Sequence, residues 1–300
     1  MATTATVAAR ARVEHGILER LWWRRAQVLQ RLAMLVFVLI FLLPIVWAIS
    51  SSFKTRVELY QELPSLIPMQ PTLANYEFNF KRMPEFFLQF RNSLFVSTGA
   101  VILQVFCASL AGYSFARLQF PGRDAIFYTM IMLIFIPRAG SLMAQYELMS
   151  FLHLRNSLIG LIIAFSAGLA TPTFIMRQTF LNIPSVFEDA ALIDGCNRWQ
   201  AFWRIMAPMG AGGMVVVALF EFIRVWGEFL FTLTMIDQRQ MFTLGIGIVM
   251  MYTDSNLLEG EFTTYGTQCA GYLTYAAPVI LFYILLQRWF VRGLMEGLKL

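Results

Sequence analysis

The chain is poor in the residues on which most chemistry depends. Its 300 residues include 3 cysteines and 2 histidines, and only 14% of them are charged. Cys107, Cys196 and Cys269 are dispersed and odd in number, so they suggest neither a disulfide framework nor a thiolate metal site. His15 and His153 stand far apart, and there is no H-E-x-x-H or comparable metal cluster. The only lysines are Lys54, Lys81 and Lys299. None closes a G-x-x-x-x-G-K-[ST] loop, so the chain has no phosphate cradle of that kind for ATP. No constellation of His, Cys or Asp marks a catalytic centre. The expectation is a non-catalytic chain with no cofactor or metal of its own. No polar stretch between apolar runs reaches the ~50 residues of a small independent domain.

What the chain has in quantity is apolar sequence. Hydrophobic residues make up 58% of it, and the mean hydropathy is +0.62. A soluble domain carries about a quarter charged residues. The composition therefore points to an all-α polytopic membrane protein in contact with lipid. The net charge of +5 would suggest nucleic acid in a soluble protein, but here the arginines flank apolar runs and no nucleic-acid partner is expected. Six spans are expected, over 32–49, 93–112, 125–136, 157–176, 210–236 and 267–286. Residues 1–31 are polar and Arg-rich. They read either as an in-plane amphipathic helix on the cytoplasmic face or as a basic tail. Six spans place both termini on one side. Arg10, Arg12, Arg20, Arg24, Arg25, Arg31, Arg117, Arg123, Arg177, Arg198, Arg204, Arg288, Arg292 and Lys299 share that side, with fewer basic residues opposite. By the positive-inside rule both termini and the 184–208 stretch are cytoplasmic, and the 237–266 loop is external.

The 184–208 stretch is a charged, amphipathic interruption in this apolar chain. Ser185 and Glu188 have capping-box spacing, so a helix should begin near Val186. Gly195 suits the left-handed residue that stops it. Asn197 can cap a second helix with Trp199, Phe202, Trp203 and Met206 on one face, and Pro208 marks the turn into the next apolar run. Ala190 and Ala191 are small enough to let the first helix sit deep in a groove of another protein, beside Glu188 and Asp189, which offer partners to basic groups.

Asp189, Ala190, Ala191, Gly195, Ile205 and Pro208, in that spacing, resemble the coupling-loop motif of ABC importer permeases. The neighbouring IDG, the RWQ-FWRI segment and the tail QRWFVRGL resemble carbohydrate importers, specifically the second permease of maltose-type systems. Asp189 stands where the family usually has Glu, and Ala207 where it usually has Leu. The resemblance spans roughly residues 31–300 and implies a type I ABC importer permease fold for a 32–300 transmembrane domain. It implies a subunit of a binding-protein-dependent importer of a sugar or oligosaccharide in the bacterial cytoplasmic membrane. Phe187, Glu188, Asp189, Ala190, Ala191, Asp194, Gly195 and Pro208 would couple it to an ATPase. The implied partners are a second homologous permease, a dimer of ATP-binding subunits that hold ATP and Mg, and an extracytoplasmic solute-binding protein. Thr253, Asp254, Ser255, Asn256, Glu259 and Gly260 of the external loop would touch that binding protein. The apolar 241–252 part of the same loop should fold back on the membrane domain.

Glu221, Arg224 and Glu228 fall within the fifth apolar run at i, i+3 and i+7, which puts them on one face of a continuous helix, with Arg224 able to pair with both acids. Charges at membrane depth face a bundle interior or an aqueous cavity. Two readings stand: a patch lining a solute path, or an ion triad that locks helices together. The rival functions are an ion-coupled secondary carrier using these three residues as a relay, which would call for an internal repeat, and a membrane-embedded enzyme.

Overall fold

Long apolar runs separated by Gly, Pro and polar joints dictate a succession of helices, because in lipid each backbone group must find its partner within its own segment. The computed structural model describes residues 2–61, 65–136, 138–253 and 265–298, and the side chains within 27–290 apart from those of 138, 139 and 253. Among the described residues there is no strand. The chain divides into two compact units.

The first unit comprises residues 1–75 and 264–270. Helix α1 (Ala2–Ser52) runs without a break through Arg31, so the Arg-rich segment and the first apolar run form one helix. Its most apolar window lies in Gln27–Ser52 and is not buried at all within the chain. A row of large apolar side chains from Leu32 to Ile49 is exposed, which only lipid or another apolar surface can cover. Beyond it, α2 (Arg56–Leu59) anchors a polar knot. Glu58 accepts the Ser65 hydroxyl at 3.0 Å and the Met69 N–H at 2.8 Å. The Met69 N–H bond holds the Glu58 carboxyl below its ordinary range, since it stabilises the charged form. Buried Lys54 donates to the Ser65 carbonyl, and Asn75 Nδ2 donates to the Ser52 and Lys54 carbonyls, both at 2.9 Å.

The second unit comprises residues 76–263 and 271–300. After α3 (Ala74–Arg82), the long α4 (Phe86–Arg117) forms the axis against which α7 (Leu158–Ser166), α8 (Ala170–Leu181) and α12 (Ala211–Trp226) pack. Glycines allow close approaches, of α4 to α8 and of α12 to α8. A Cβ on Gly112 would lie 2.5 Å from the Met176 Cβ, and one on Gly213 would lie 2.2 Å from the Thr179 Oγ1. Three apolar clusters follow the axis. One joins Val96, Ala100, Leu161 and Phe165 to Met235. The second joins Ala108 and Tyr113 to Phe180, Phe202 and Met206. The third joins Met83, Phe222 and Trp226 to Leu244, Ile248 and Met251.

Among the described residues, three helices can cross a membrane by length and composition: Gln27–Ser52, Phe86–Arg117 and Tyr265–Phe290, the last within α15 (Tyr265–Leu298). Two broken pairs, bent by 54° and 73°, raise the number to five. The third span, read from the sequence as bent or ended by Pro137, is not one long helix. Helix α5 (Arg123–Met132) gives way to a short 3-10 turn, Leu133–Phe135, ahead of Pro137. The fifth apolar run is not one helix either. It breaks after Trp226 at Gly227 and resumes as α13 (Leu230–Met235). Gly227, at the second of these breaks, fits poorly in a helix interior.

The 237–266 loop begins as expected. Helix α14 (Leu244–Thr253) buries Leu244, Ile246, Ile248 and Met251. Its start is pinned to α4, where the Ser93 Oγ accepts the Leu244 N–H at 2.8 Å. Asn92 Nδ2 donates to the Gln240 carbonyl at 2.8 Å and the Phe242 carbonyl at 3.1 Å. Of the residues expected to touch a binding protein, Thr253 ends α14. Asp254, Ser255, Asn256, Glu259 and Gly260 lie outside the described residues.

Candidate functional site

The 184–208 stretch folds as two helical pieces around a tight stop. Helix α9 (Val186–Ile193) ends in a Schellman motif: the Cys196 N–H bonds the Ala191 carbonyl at 3.0 Å, and the Gly195 N–H bonds the Leu192 carbonyl at 3.2 Å. Gly195 sits at φ +85°, with open space where a Cβ would be, so it is there for its backbone conformation alone. Helix α10 (Arg198–Ala201) carries a complete capping box between Asn197 and Gln200.

Two local expectations are corrected. Ser185 does not cap α9; its backbone is helical and its side chain makes no cap bond. Glu188 is unavailable as its capping-box partner because its carboxylate is bound elsewhere. The aromatic face of the second helix also splits. A π-helical turn over Phe202–Met206 shifts the register, so Phe202 and Met206 are buried while Trp199 and Trp203 are exposed. The 73° bend follows between α11 (Ala207–Met209) and α12.

Helix α9 presents two different faces. Ala191 and Glu188 point inward, at 3% and 5% exposure. Asp189 and Ala190 are exposed, together with Phe187, Val186, Ile193, Asp194, Gly195 and Pro208. The acids therefore separate. Glu188 accepts the Tyr113 hydroxyl at 2.6 Å and lies 3.6 Å from Arg117 Nε and 3.5 Å from Arg198 Nη1. Arg117 also donates to the Phe180 carbonyl at 2.8 Å and to that of Ile183. One arginine at the end of α4 thus holds the exit of α8 and the root of α9. Sequence reasoning missed this cluster. Its trace is the i, i+4 spacing of Tyr113 and Arg117, which share a face of α4.

The charged face of the fifth run is divided. Arg224 Nε donates to Glu221 Oε2 at 2.8 Å, and its Nη2 reaches Glu221 Oε1 and the Phe165 carbonyl, the latter at 2.8 Å. Glu221 is buried behind it at 4% exposure. Glu228 does not complete a triad. It lies beyond the end of α12, where its Oε1 accepts the Phe231 N–H at 2.9 Å. Among the described residues it forms no ion pair. The i+7 alignment requires a continuous helix, and the break at Gly227 removes it.

Arg224 and Glu228 both line a cavity of about 540 Å³, bounded by α6 (Leu142–Phe151), by α7 with its joint to α8, and by the α12–α13 break. Gln145, Phe165, Phe231 and Gly168 also line it. The Gly168 carbonyl at the α7–α8 joint is held by Gln104 Nε2 at 3.1 Å. A partly polar hollow formed where two helices break can hold a hydroxylated solute. Among the described residues no cluster of His, Cys, Asp and Glu could hold a metal ion.

Known proteins resemble the chain over nearly its whole length. Residues 16–295 match the family described as binding-protein-dependent transport system inner membrane component. An arabinooligosaccharides transport system permease protein of Halalkalibacterium halodurans is 30% identical over 268 residues, 88% of this chain and 92% of that protein. The inner membrane ABC transporter permease protein YcjP of Escherichia coli is 31% identical, over 87% of this chain and 92% of that one. A diacetylchitobiose uptake system permease protein of Streptomyces coelicolor is 28% identical, over 91% and 89%. A chain from the crystal structure of a bacterial ABC transporter involved in the import of the acidic polysaccharide alginate superposes with a TM-score of 0.79. It is 20% identical, with 89% of this chain and 97% of that one covered, and so shares the fold.

Proposed function

This chain belongs to the family of binding-protein-dependent transport system inner membrane components, and from that premise we propose that it forms one half of the translocation path of an ATP-driven sugar or oligosaccharide importer. As a member of the family it is a multi-pass inner-membrane protein and a non-catalytic transport subunit. The sugar assignment is favoured by relatives named for arabinooligosaccharides and diacetylchitobiose. In this reading α9 inserts into a cleft of a separate ATPase, which binds ATP and Mg. A second homologous permease completes the path, and an extracytoplasmic binding protein delivers solute to the 253–260 region. Both termini and α9 are cytoplasmic, and six membrane crossings are reached by counting the α5 region with the two bent pairs.

The observation that carries the docking proposal is the two-faced α9. Its inner face is fixed by Glu188 and Ala191, while Phe187, Asp189, Ala190 and Ile193 stand in the open ahead of the glycine stop. Small and apolar residues on an exposed short helix suit insertion into a groove. The ion-coupled carrier needs Glu221, Arg224 and Glu228 as one relay, and Glu228 stands apart from the other two.

Gly195→Val tests the docking. A β-branched residue at φ +85° costs roughly 1–2 kcal/mol or more and misdirects the stop while clashing with nothing. The expected result is a subunit still inserted in the membrane, ATPase lost on co-purification, and ATP-dependent uptake abolished. Normal uptake with the ATPase retained would refute the docking role.

A further inference from the structure

Reading the cavity as part of the solute path allows a closer question: which charge it accepts. Arg224 is the only cation among its lining residues, and its charge is already engaged. Glu221 holds it through two hydrogen bonds from the buried side, and the Phe165 carbonyl takes a third. Only Nη1 is left for a ligand. Glu228 also lines the cavity, half-buried, with one oxygen on the Phe231 N–H and the other free of any hydrogen bond among the described residues. Arg224 is matched by Glu221 behind the wall, so the carboxylate of Glu228 is the lining charge with no counter-ion among the described residues.

From this we infer that the cavity takes a neutral or amino-bearing saccharide unit and rejects a uronate-type one. Hydroxyls find a donor in Arg224 Nη1 and acceptors in Glu228 and in the side chain of Gln145. The rings of Phe165 and Phe231, 5.4 Å apart, offer apolar faces to sugar C–H groups. An amino group gains the free oxygen of Glu228. A carboxylate on the solute has no unpaired cation to meet. To engage Arg224 fully it must displace Glu221 and leave that buried acid without its partner, which is strongly unfavourable. It also faces Glu228 in a region where water screens little.

The inference rests on the path reading, and the test separates the two. The intact complex, purified from native membranes without added binding protein, is titrated calorimetrically with three tetrasaccharides: maltotetraose, a glucosamine tetramer at mildly acidic pH, and a galacturonate tetramer. The first two should bind, and the galacturonate tetramer should bind at least about tenfold more weakly, a gap of ~1.4 kcal/mol. Glu228→Gln keeps an acceptor for the Phe231 N–H while removing the charge. It should close the gap to the galacturonate tetramer and weaken the glucosamine tetramer. Galacturonate binding as tight as that of maltotetraose in the original complex, or an unchanged ranking in Glu228→Gln, overturns the charge assignment and leaves the path reading standing. Absence of binding by all three probes overturns the inference. If the uptake kinetics of Glu228→Gln are also unchanged, the path reading falls with it.

Discussion

At Glu188 the carboxylate meets the Tyr113 hydroxyl and two guanidinium groups, while Asp189, the next residue, is exposed. Adjacent acids on a helix point about a quarter-turn apart, and here that turns Glu188 inward and leaves Asp189 in the open. Arg117 is nearly buried, with a side-chain exposure of 13%, and has no other carboxylate within reach among the described residues. Glu188→Gln should therefore lower the thermal midpoint of the purified subunit, by an amount corresponding to about 1–3 kcal/mol for a charged hydrogen-bonded group left without its partner. Asp189→Asn should leave that midpoint unchanged and instead weaken retention of the ATPase. Thermal melts and pull-downs on both variants check the pair. The reverse assignment would show Asp189 as the anchor.

Helix α4 is set against α8 by a backbone-to-backbone approach. The Cβ missing at Gly112 would meet the Met176 Cβ at 2.5 Å and the Arg177 backbone N at 2.8 Å. At Gly99 on the same helix, the nearest atom is the Ile162 Cδ1 at 2.6 Å, the free end of a flexible side chain. Gly112→Ala should therefore cost about 1–3 kcal/mol, as overpacking does, whereas Gly99→Ala should be close to neutral after a rotamer change at Ile162. Melting of the two variants in detergent distinguishes them; equal losses would contradict the reading of α4–α8 as the tighter contact. The same helix pair carries the Arg117 clamp on the Phe180 and Ile183 carbonyls. The spacing of α8 from α4 thus fixes the root from which α9 projects.

Among the described residues, the most apolar window of α1 is not buried and that of α15 is only 17% buried, against 39% in α4. Lipid covers such surfaces, and in the proposed assembly a second permease covers part of them. Among the described residues there are up to five candidate spans, and the proposed assembly supplies the partners that complete the path and drive transport. Purification from native membranes should give one copy of this chain with one unequal permease and two ATPase copies, read by native mass spectrometry. A transport-competent homodimer of this chain would contradict the assembly.

Composition alone determined that the chain lies in a membrane, since so few charges cannot cover a soluble surface. Local spacing determined the Gly195 stop and the Asn197 cap, because caps and turns depend on residues close in sequence. The burial of 241–252 was legible as an apolar run, although its attachment to Asn92 and Ser93 was not. Tertiary structure alone decided which side of α9 faces inward, since the Tyr113 and Arg117 that capture Glu188 come from another helix. It also decided the fate of Glu228. Periodicity assumes an unbroken helix, whereas here the chain breaks at Gly227 and the carboxylate takes a backbone N–H across the break. The cavity has no signature in the sequence, because a hollow arises where separate helices fail to touch, and the sequence does not record their spacing.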